Sequence, residues 1–265
     1  MSYYTDIKNR NLIGLVQRLL KAGVLSRRDC DGKFVSSVKA QWDTPWVHVK
    51  QSYKSNCYLW KDIIFHHIVS INLPKEKWFV PIGCMDCFKV VIRPQTLKQL
   101  FALEALERRL NHPSKAGIEI RPQVFGHYGG YFYNRGLQEG LECYKKVRKA
   151  VNEDPDLGPD VSVILKRACT EMEAGCGPSD KWEVTEDQLR LEMLIKDHFA
   201  IDSTLISQSE DAIEHVKQTW IDFAWDRGDP TVYEYLDGEP LHPPYVTYHH
   251  LIDEKPEKEI EKGGE

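Results

Sequence analysis

Long apolar runs are missing from this sequence: no uninterrupted stretch approaches the roughly 18 residues that a membrane-spanning helix needs. The first residues, MSYYTDIKNRNLIG, contain no basic segment followed by an apolar stretch, so a signal peptide is not expected. Basic residues are not in excess either. The formal net charge of -5 argues against a strongly cationic nucleic-acid-binding protein, although it leaves room for a local basic patch. We therefore expect a soluble, cytoplasmic protein with no membrane partner.

Several familiar catalytic motifs are also missing. The sequence has no phosphate-binding P-loop, no serine nucleophile elbow and no zinc-protease motif. Its histidine doublets, FHHI and YHHL, would point their two rings to opposite faces of a strand. Among the histidines, His127 is the candidate general acid or base because it lies beside a glycine-rich segment. The alternative for His127 is a core or surface side chain.

Seven cysteines are present, and this odd number suits a disulfide framework poorly. Cytosolic thiols are normally kept reduced, which disfavours disulfides further. Metal ligation, catalysis or burial must therefore account for the cysteines, which lie at Cys30, Cys57, Cys84, Cys87, Cys143, Cys169 and Cys176.

Cys84 and Cys87 form the closely spaced pair, with two residues between them. The preceding Gly83 permits a tight backbone, so both sulfur atoms could face one metal ion or cluster. A thioredoxin-like dithiol has the same spacing but stands at the start of a helix, whereas the residues that follow here, FKVVIRP, are strand-like. The pair is therefore interpreted as metal-binding, with two buried bystander cysteines as the alternative.

The remaining ligands must come from distant segments. Cys169 is the first choice because two cations precede it in LKRAC, and nearby cations stabilise thiolates or an anionic cluster. Cys57, at the start of an apolar stretch, is the second choice and completes the predicted metal site, with Cys176 as the alternative. Cys143 is interpreted as a buried helix residue, and Cys30 as an exposed thiol beside a turn.

The dispersal of the cysteines favours an iron–sulfur cluster over a structural zinc module. A zinc module presents two close ligand pairs within a short stretch, whereas a cluster in a preformed fold can collect distant cysteines. We therefore predict a 4Fe-4S cluster, with zinc as the alternative. If one iron stays open, substrate or S-adenosylmethionine could coordinate there. The segment DGEPLHPP is similar over a few residues to the GGEPL segment of radical S-adenosylmethionine enzymes, but their CxxxCxxC signature is absent, so membership is not inferred.

The segment GHYGGYFYNRG is interpreted as a strand-to-helix junction that holds a ligand. Gly129 and Gly130 would admit the ligand, because glycine lets the backbone approach closely. Tyr131 or Tyr133 would stack on a flat group, and Arg135 would neutralise an anionic one. In open α/β sheets ligands gather where strands end and loops converge. The alternative is a tyrosine-lined turn that only packs.

Strand-like and helical segments alternate through the middle of the chain. They predict an α/β or α+β fold with a central mixed sheet, flanking helices and a helical C-terminal third. Residues 1–50 are predicted to form a helix plus hairpin, 51–252 the main cysteine-containing metal-binding domain, and 253–265 a disordered acidic tail. The expected elements are a helix at 9–22, a hairpin turn at Asp31-Gly32, one or two buried strands at 57–73, a strand pair flanking the cysteine pair, and helices at 96–110, 135–151, 185–199 and 208–226.

These observations predict a soluble iron–sulfur protein, leaning towards an enzyme, that uses its cluster for oxidoreductase chemistry or to bind substrate. Its partner would be a small-molecule substrate or a redox partner. The alternative is a zinc-stabilised module that binds nucleic acid or protein without catalysis. The N-terminal helix–hairpin and the basic patches LERRL and YKKVRKA favour that alternative.

Replacing Cys84 or Cys87 by serine should remove the metal and lower solubility, because ligation and folding are coupled. Replacing Cys30 should do neither. The measurement is the iron, sulfide and zinc content of the protein after anaerobic purification. Equal metal content in Cys84→Ser and in the wild-type protein would show that the pair only packs.

Overall fold

The structure is a computed structural model that describes residues 12–23, 25–36, 45–50, 58–199 and 208–244, together with 246 and 248. Its strands are β1 Leu25–Arg27, β2 Phe34–Ser36, β3 Trp46–Val49, β4 Cys87–Arg93, β5 Ser114–Ile118, β6 Tyr128–Arg135 and β7 Ser162–Arg167. Its α-helices are α1 Leu12–Lys21, α2 Ser70–Asn72, α3 Ile82–Met85, α4 Leu97–Leu110, α5 Gly136–Glu153, α6 Thr170–Cys176, α7 Glu186–His198 and α8 Glu210–Asp226. A π-helical segment, Tyr58–Val69, runs directly into α2, and short 3-10 turns cover Lys75–Lys77, Ser179–Lys181 and Pro230–Tyr235.

Five strands form one sheet in the order β3-β5-β6-β4-β7, and every pairing within it is antiparallel. β4 lies between β6 and β7, with Lys89 opposite Tyr133 on one side and Lys166 on the other. The predicted sheet with flanking helices is confirmed, but the pairings within it are antiparallel rather than mixed. The sequence left the α/β and α+β classes open, and the antiparallel pairing identifies the fold as α+β.

The first hydrophobic core lies between one face of this sheet and helices α4, α5 and α8. β4 contributes Val90 and Ile92, β6 contributes Phe132, and α8 contributes Trp220, all of them fully buried. Burial of a side chain of this size stabilises the fold by roughly 1.5–3 kcal/mol before the entropy of ordering it is counted. These apolar residues occupy alternate strand positions, so the opposite face of the sheet carries the intervening side chains.

A second hydrophobic core packs the π-helical segment against α1, α6 and α7. Here the prediction of buried strands at 57–73 is wrong for the described residues, which are helical from Tyr58 to Asn72. The buried residues Leu59, Ile63, Ile68 and Leu73 are spaced four or five apart. The wide turn of a π-helix brings such positions to one side, and a search for an ordinary α-helical period misses it.

Local signals placed most other helices correctly. Thr96 and Thr185 cap α4 and α7 by accepting hydrogen bonds from the backbone N–H groups of residues three positions on. The hairpin β1–β2 forms around the predicted Asp31-Gly32 turn. Gly177 ends α6. The acidic tail, residues 253–265, lies outside the described part of the chain, and the predicted division into domains stays a prediction.

Two polar side chains of α7 clamp the turn that carries the cysteine pair. Glu192 accepts a hydrogen bond from Ile82 N at 3.1 Å, and Gln188 donates one to Val80 O at 2.8 Å. Gln188 also donates to Glu192 at 2.8 Å. Burial raises the pKa of Glu192 to about 7, against the lowering effect of these hydrogen bonds. The turn is thus tied to a carboxyl group that resists ionisation.

We expect Glu192 to make the stability of the fold depend on pH. Between pH 4.5 and about 7 the unfolded chain releases the Glu192 proton while the folded chain keeps it, so the free energy of unfolding falls as pH rises. Glu192→Gln should remove this fall, which amounts to at most about 3 kcal/mol. Urea unfolding of wild type and variant across this pH range measures it.

The matched control for this experiment is Glu186→Gln in the first turn of the same helix. The Glu186 side chain is 89% exposed, so its replacement should leave the pH profile of unfolding unchanged. Identical pH profiles for wild type and Glu192→Gln would contradict the expectation.

Candidate functional site

The face of the sheet opposite the first core carries charged and aromatic side chains. On β4, Lys89 and Arg93 point to this face, and on β6 it carries Tyr131 and Tyr133. Ile164 on the edge strand β7 lies on the same face and is 47% exposed, so solvent reaches the face at that edge. We call this surface, defined by Lys89, Arg93, Lys115, Tyr131 and Tyr133, the polar sheet face.

Cys169 lies where β7 turns into α6, beside the polar sheet face. Lys89 Nζ donates a hydrogen bond to Cys169 Sγ at 2.7 Å, and Lys89 is only 6% exposed. The preceding residue, Ala168, has φ +52, a left-handed conformation that costs an alanine about 1–2 kcal/mol. A hydrogen bond from Ala168 N to Cys87 O at 2.7 Å holds this turn in place. Such strained residues often accompany functional sites.

Two further charged groups surround the contact between Lys89 and Cys169. Glu171 forms an ion pair with Lys61 at 3.0 Å. Burial opposes the charge on Lys61, but attraction to Cys169 and Glu171 outweighs it and raises the pKa of Lys61 above its usual value. Burial likewise opposes the charge on Glu171, but Lys61, a backbone hydrogen bond and Lys89 lower its pKa to about 2. Lys61 and Glu171 therefore both stay ionised near neutral pH.

At the other end of the polar sheet face, two arginines converge on one phenol. Arg93 Nη1 and Arg121 Nη2 both donate to Tyr131 Oη, at 2.9 and 3.0 Å, and Tyr131 in turn donates to Glu119 Oε2 at 2.6 Å. Arg121 forms a two-point ion pair with Glu119. Burial alone would raise the pKa of Glu119, but the hydrogen bonds from Arg121 and Tyr131 outweigh it and hold it below its usual value.

Arg121 connects the two ends of the face, because its Nη1 also lies 3.6 Å from Glu171 Oε2. Two sets of polar contacts therefore lie close together: one joins Lys89 to Cys169, and the other runs from Lys61 through Glu171, Arg121 and Tyr131 to Arg93. We call the two sets together the polar network, and its members are Lys61, Lys89, Arg93, Glu119, Arg121, Tyr131, Cys169 and Glu171.

The turn that carries the predicted metal ligands is held from several sides. Cys84 lies in α3 and is buried in the second core, whereas Cys87 begins β4 and is half-buried. The expected strand pair around them is wrong on its first side, since α3 precedes β4. A Cβ atom at Gly83 would lie 2.2 Å from Trp60 Nε1, so this glycine accommodates an indole ring. Arg167 Nε donates to Met85 O at 2.6 Å and fixes the far side of the turn.

The predicted four-cysteine metal site stays a prediction. Among the described residues, no group of three or more histidine, cysteine, aspartate or glutamate side chains is arranged to hold a metal ion. Cys57 lies outside the described residues. Of the remaining cysteines, Cys176 ends α6, and burial raises its pKa to about 11. Cys143 lies in the first core, as expected, and burial raises its pKa to about 11 as well.

The glycine–tyrosine segment forms strand β6 and ends at a strand-to-helix junction, because α5 begins at Gly136; Gly129 and Gly130 lie within the strand. Gly129, Tyr131 and Tyr133 occupy alternate positions of β6 on the polar sheet face, and Arg135 ends the strand. Gly130 points to the opposite face, where a Cβ atom would lie 2.4 Å from Leu103 Cδ2. Leu103 belongs to α4, so the group that approaches Gly130 closely is a side chain of this helix. The proposed ligand contacts of this segment stay predictions.

His127 is exposed and lies just before β6, with its ring centroid 6.0 Å from that of Phe223. Its backbone oxygen accepts a hydrogen bond from Glu119 N at 2.7 Å. The catalytic role predicted for His127 stays a prediction.

Sequence reasoning identified Cys169 and Tyr131 but missed the charged members of the polar network. One signal could have revealed two of them: in the strand CFKVVIR, Lys89 and Arg93 stand on the same face as Cys87. Cations inside an otherwise apolar strand predict a polar face opposite the core. Lys61, Arg121 and Glu171 carry no such signal, because they come from separate helical and loop segments.

Comparison with models of protein families, with curated proteins and with solved structures produced no match. Within the described part of the chain, no helix is both long and apolar enough to cross a membrane. Function must therefore be inferred from the geometry and charge of the site itself.

Replacing Gly130 by alanine tests whether this glycine serves packing. The new methyl group would overlap Leu103, so Gly130→Ala should lower the free energy of unfolding by about 1–3 kcal/mol. Adding Leu103→Ala makes room for the methyl group, so the double variant should be more stable than the sum of the two single effects predicts. Urea unfolding of the three variants measures this coupling, and strictly additive effects would contradict the packing role.

Proposed function

We propose that this chain is an enzyme that binds an anionic substrate on its polar sheet face and acts on it through the thiolate of Cys169. The observation that carries the proposal is the 2.7 Å contact between Lys89 Nζ and Cys169 Sγ. An ammonium group held beside a sulfur atom favours the thiolate, which is the nucleophilic form of cysteine.

Lys89 also suits the role of proton donor. When Sγ forms a bond to an electrophilic carbon of the substrate, the bond between that carbon and its leaving group breaks, and the leaving group takes a proton from the Lys89 ammonium group. The neutral Lys89 amine then removes a proton from water, the resulting hydroxide attacks the same carbon, and the thiolate leaves. Water is the co-reactant, and both Lys89 and Cys169 return to their starting states.

The charge of the surrounding surface favours an anionic substrate. Two carboxylates of the polar network, Glu119 and Glu171, lie among a larger number of cations. Those cations are Lys61, Lys89, Arg93, Lys115 and Arg121. The chain as a whole has a net charge of -5, so this surface is locally positive although the protein is negatively charged overall. Such a field raises the local concentration of anions.

Alkylation of the full chain with iodoacetamide tests the role of Lys89. Cys169 should react faster than the exposed Cys30, and Lys89→Met should slow alkylation of Cys169 by about tenfold, which corresponds to about 1.4 kcal/mol. Peptide mass spectrometry assigns the rate to each cysteine.

Lys166→Met is the matched control for Lys89→Met. Lys166 lies opposite Lys89 in the neighbouring strand, but its ammonium group contacts Thr170 and Glu173. Its replacement should slow alkylation of Cys169 much less than Lys89→Met does, because the Lys166 ammonium group is held by Thr170 and Glu173. A Cys169 that reacts no faster than Cys30, or an equal rate in wild type and Lys89→Met, would overturn the proposal.

The predicted iron–sulfur cluster is the second candidate. The hydrogen bond from Ala168 N to Cys87 O favours this candidate. Ala168 directly precedes Cys169, so the bond brings Cys169 close to the turn that carries the cysteine pair. A cluster requires that Cys87→Ser and Cys169→Ser lose iron and sulfide together. Colourless protein with stoichiometric zinc and no iron would contradict it, whereas metal-free protein with a reactive Cys169 would favour the thiolate enzyme.

A further inference from the structure

Arg93 and Arg121 form a pair of guanidinium groups around a single acceptor atom. Both donate to Tyr131 Oη, at 2.9 and 3.0 Å, so the two donating nitrogen atoms lie within about 6 Å of each other. Lys115 adds a third cation, with its Nζ 5.7 Å from the centre of the Tyr131 ring and 3.8 Å from that of Trp46. Like charges held this close together are stabilised by anions that share the site.

The carboxylates at this end of the face neutralise Arg121 rather than Arg93. Glu119 forms a two-point ion pair with Arg121, and Glu171 lies 3.6 Å from the same side chain. Within the residues that the structure describes, Arg93 contacts no carboxylate and is held by the hydroxyl and ring of Tyr131. The Arg121 side chain is 30% exposed and Arg93 is half-buried, so solvent reaches both residues.

From this geometry we infer that Arg93 and Arg121, with Lys115 beside them, bind the phosphate group of a phosphate ester. A phosphate dianion offers several oxygen acceptors and two negative charges, which match two planar guanidinium groups and one ammonium group better than a single carboxylate does. The inference rests on the proposed function, because it assigns this phosphate to the substrate of Cys169.

The spacing along β4 sets the size of that substrate. Arg93 lies four residues beyond Lys89 on the same strand and the same face, which corresponds to about 13 Å. This spacing separates backbone positions, so a substrate whose phosphate binds at Arg93 and whose reactive carbon reaches Cys169 must be elongated. Tyr133, whose ring centre lies 5.5 Å from Lys89 Nζ, is placed to contact its middle part.

Calorimetric titration of the full chain with inorganic phosphate tests the anion site. Phosphate should bind the wild-type protein, and Arg93→Met should weaken binding by at least about tenfold. Arg93→Lys keeps the charge but loses the planar donor pair, so its affinity should fall between those of wild type and Arg93→Met. Circular dichroism and the unfolding midpoint show whether each variant is folded.

Arg109→Met is the matched control, because the Arg109 side chain is 60% exposed on α4 and pairs with Asp154. Its affinity for phosphate should equal that of wild type. No phosphate binding to the wild-type protein, equal affinity in wild type and Arg93→Met, or tighter binding of acetate than of phosphate would each overturn the inference.

The Cys169→Ser variant separates this inference from the proposed function. It keeps both arginines and should bind phosphate as the wild-type protein does. If it binds phosphate while Cys169 proves unreactive in the wild-type protein, the phosphate site stands and the thiolate enzyme fails. If Cys169 is reactive but phosphate does not bind, the thiolate enzyme stands and the phosphate site fails.

Discussion

Along β4, alternate side chains enter two different environments. Val90 and Ile92 face the first hydrophobic core, whereas Lys89 and Arg93 face the opposite side of the sheet. Because a shift of one residue would exchange the two sets, burying the apolar set fixes where the cations stand. The polar network therefore depends on the same pairing that builds the core. Any change that moves β4 against β6 would disrupt both.

The buried polar groups show how this side of the sheet is stabilised. Lys89, with 6% exposure, and Glu119, with 5% exposure, would each destabilise the fold if they were buried without a partner. Both take part in contacts with other members of the polar network, Lys89 with Cys169 and Glu119 with Arg121. Partnered charges of this kind add little net stability, yet removing one partner is costly. The proposed binding and catalysis would give a reason for this arrangement that stability alone does not.

Cys169 connects the chemistry of this face to the cysteine-bearing turn. Its neighbour Ala168 donates to Cys87 O, while Lys89, two residues along β4 from Cys87, donates to Cys169 Sγ. One short region of structure is thus common to the two proposed uses of this sulfur, as a nucleophile and as a metal ligand. In either use, the Lys89 ammonium group lies beside this sulfur.

The sequence alone determined several elements of this protein, because those elements depend on interactions between residues that are close together in the chain. Thr96, Thr185 and the Asp31-Gly32 turn act on residues within a few positions of themselves, so their helices and hairpin could be predicted. The sequence also singled out Cys169 as a site residue. Only the tertiary structure decided the partner of Cys169, because Lys89 is separated from it by 80 residues and reaches it through the pairing of β4 with β7. The tertiary structure also decided that most of the segment GHYGGYFYNRG forms a strand. Its Gly130 packs against a helix from another part of the chain, and such a contact cannot be read from the segment itself.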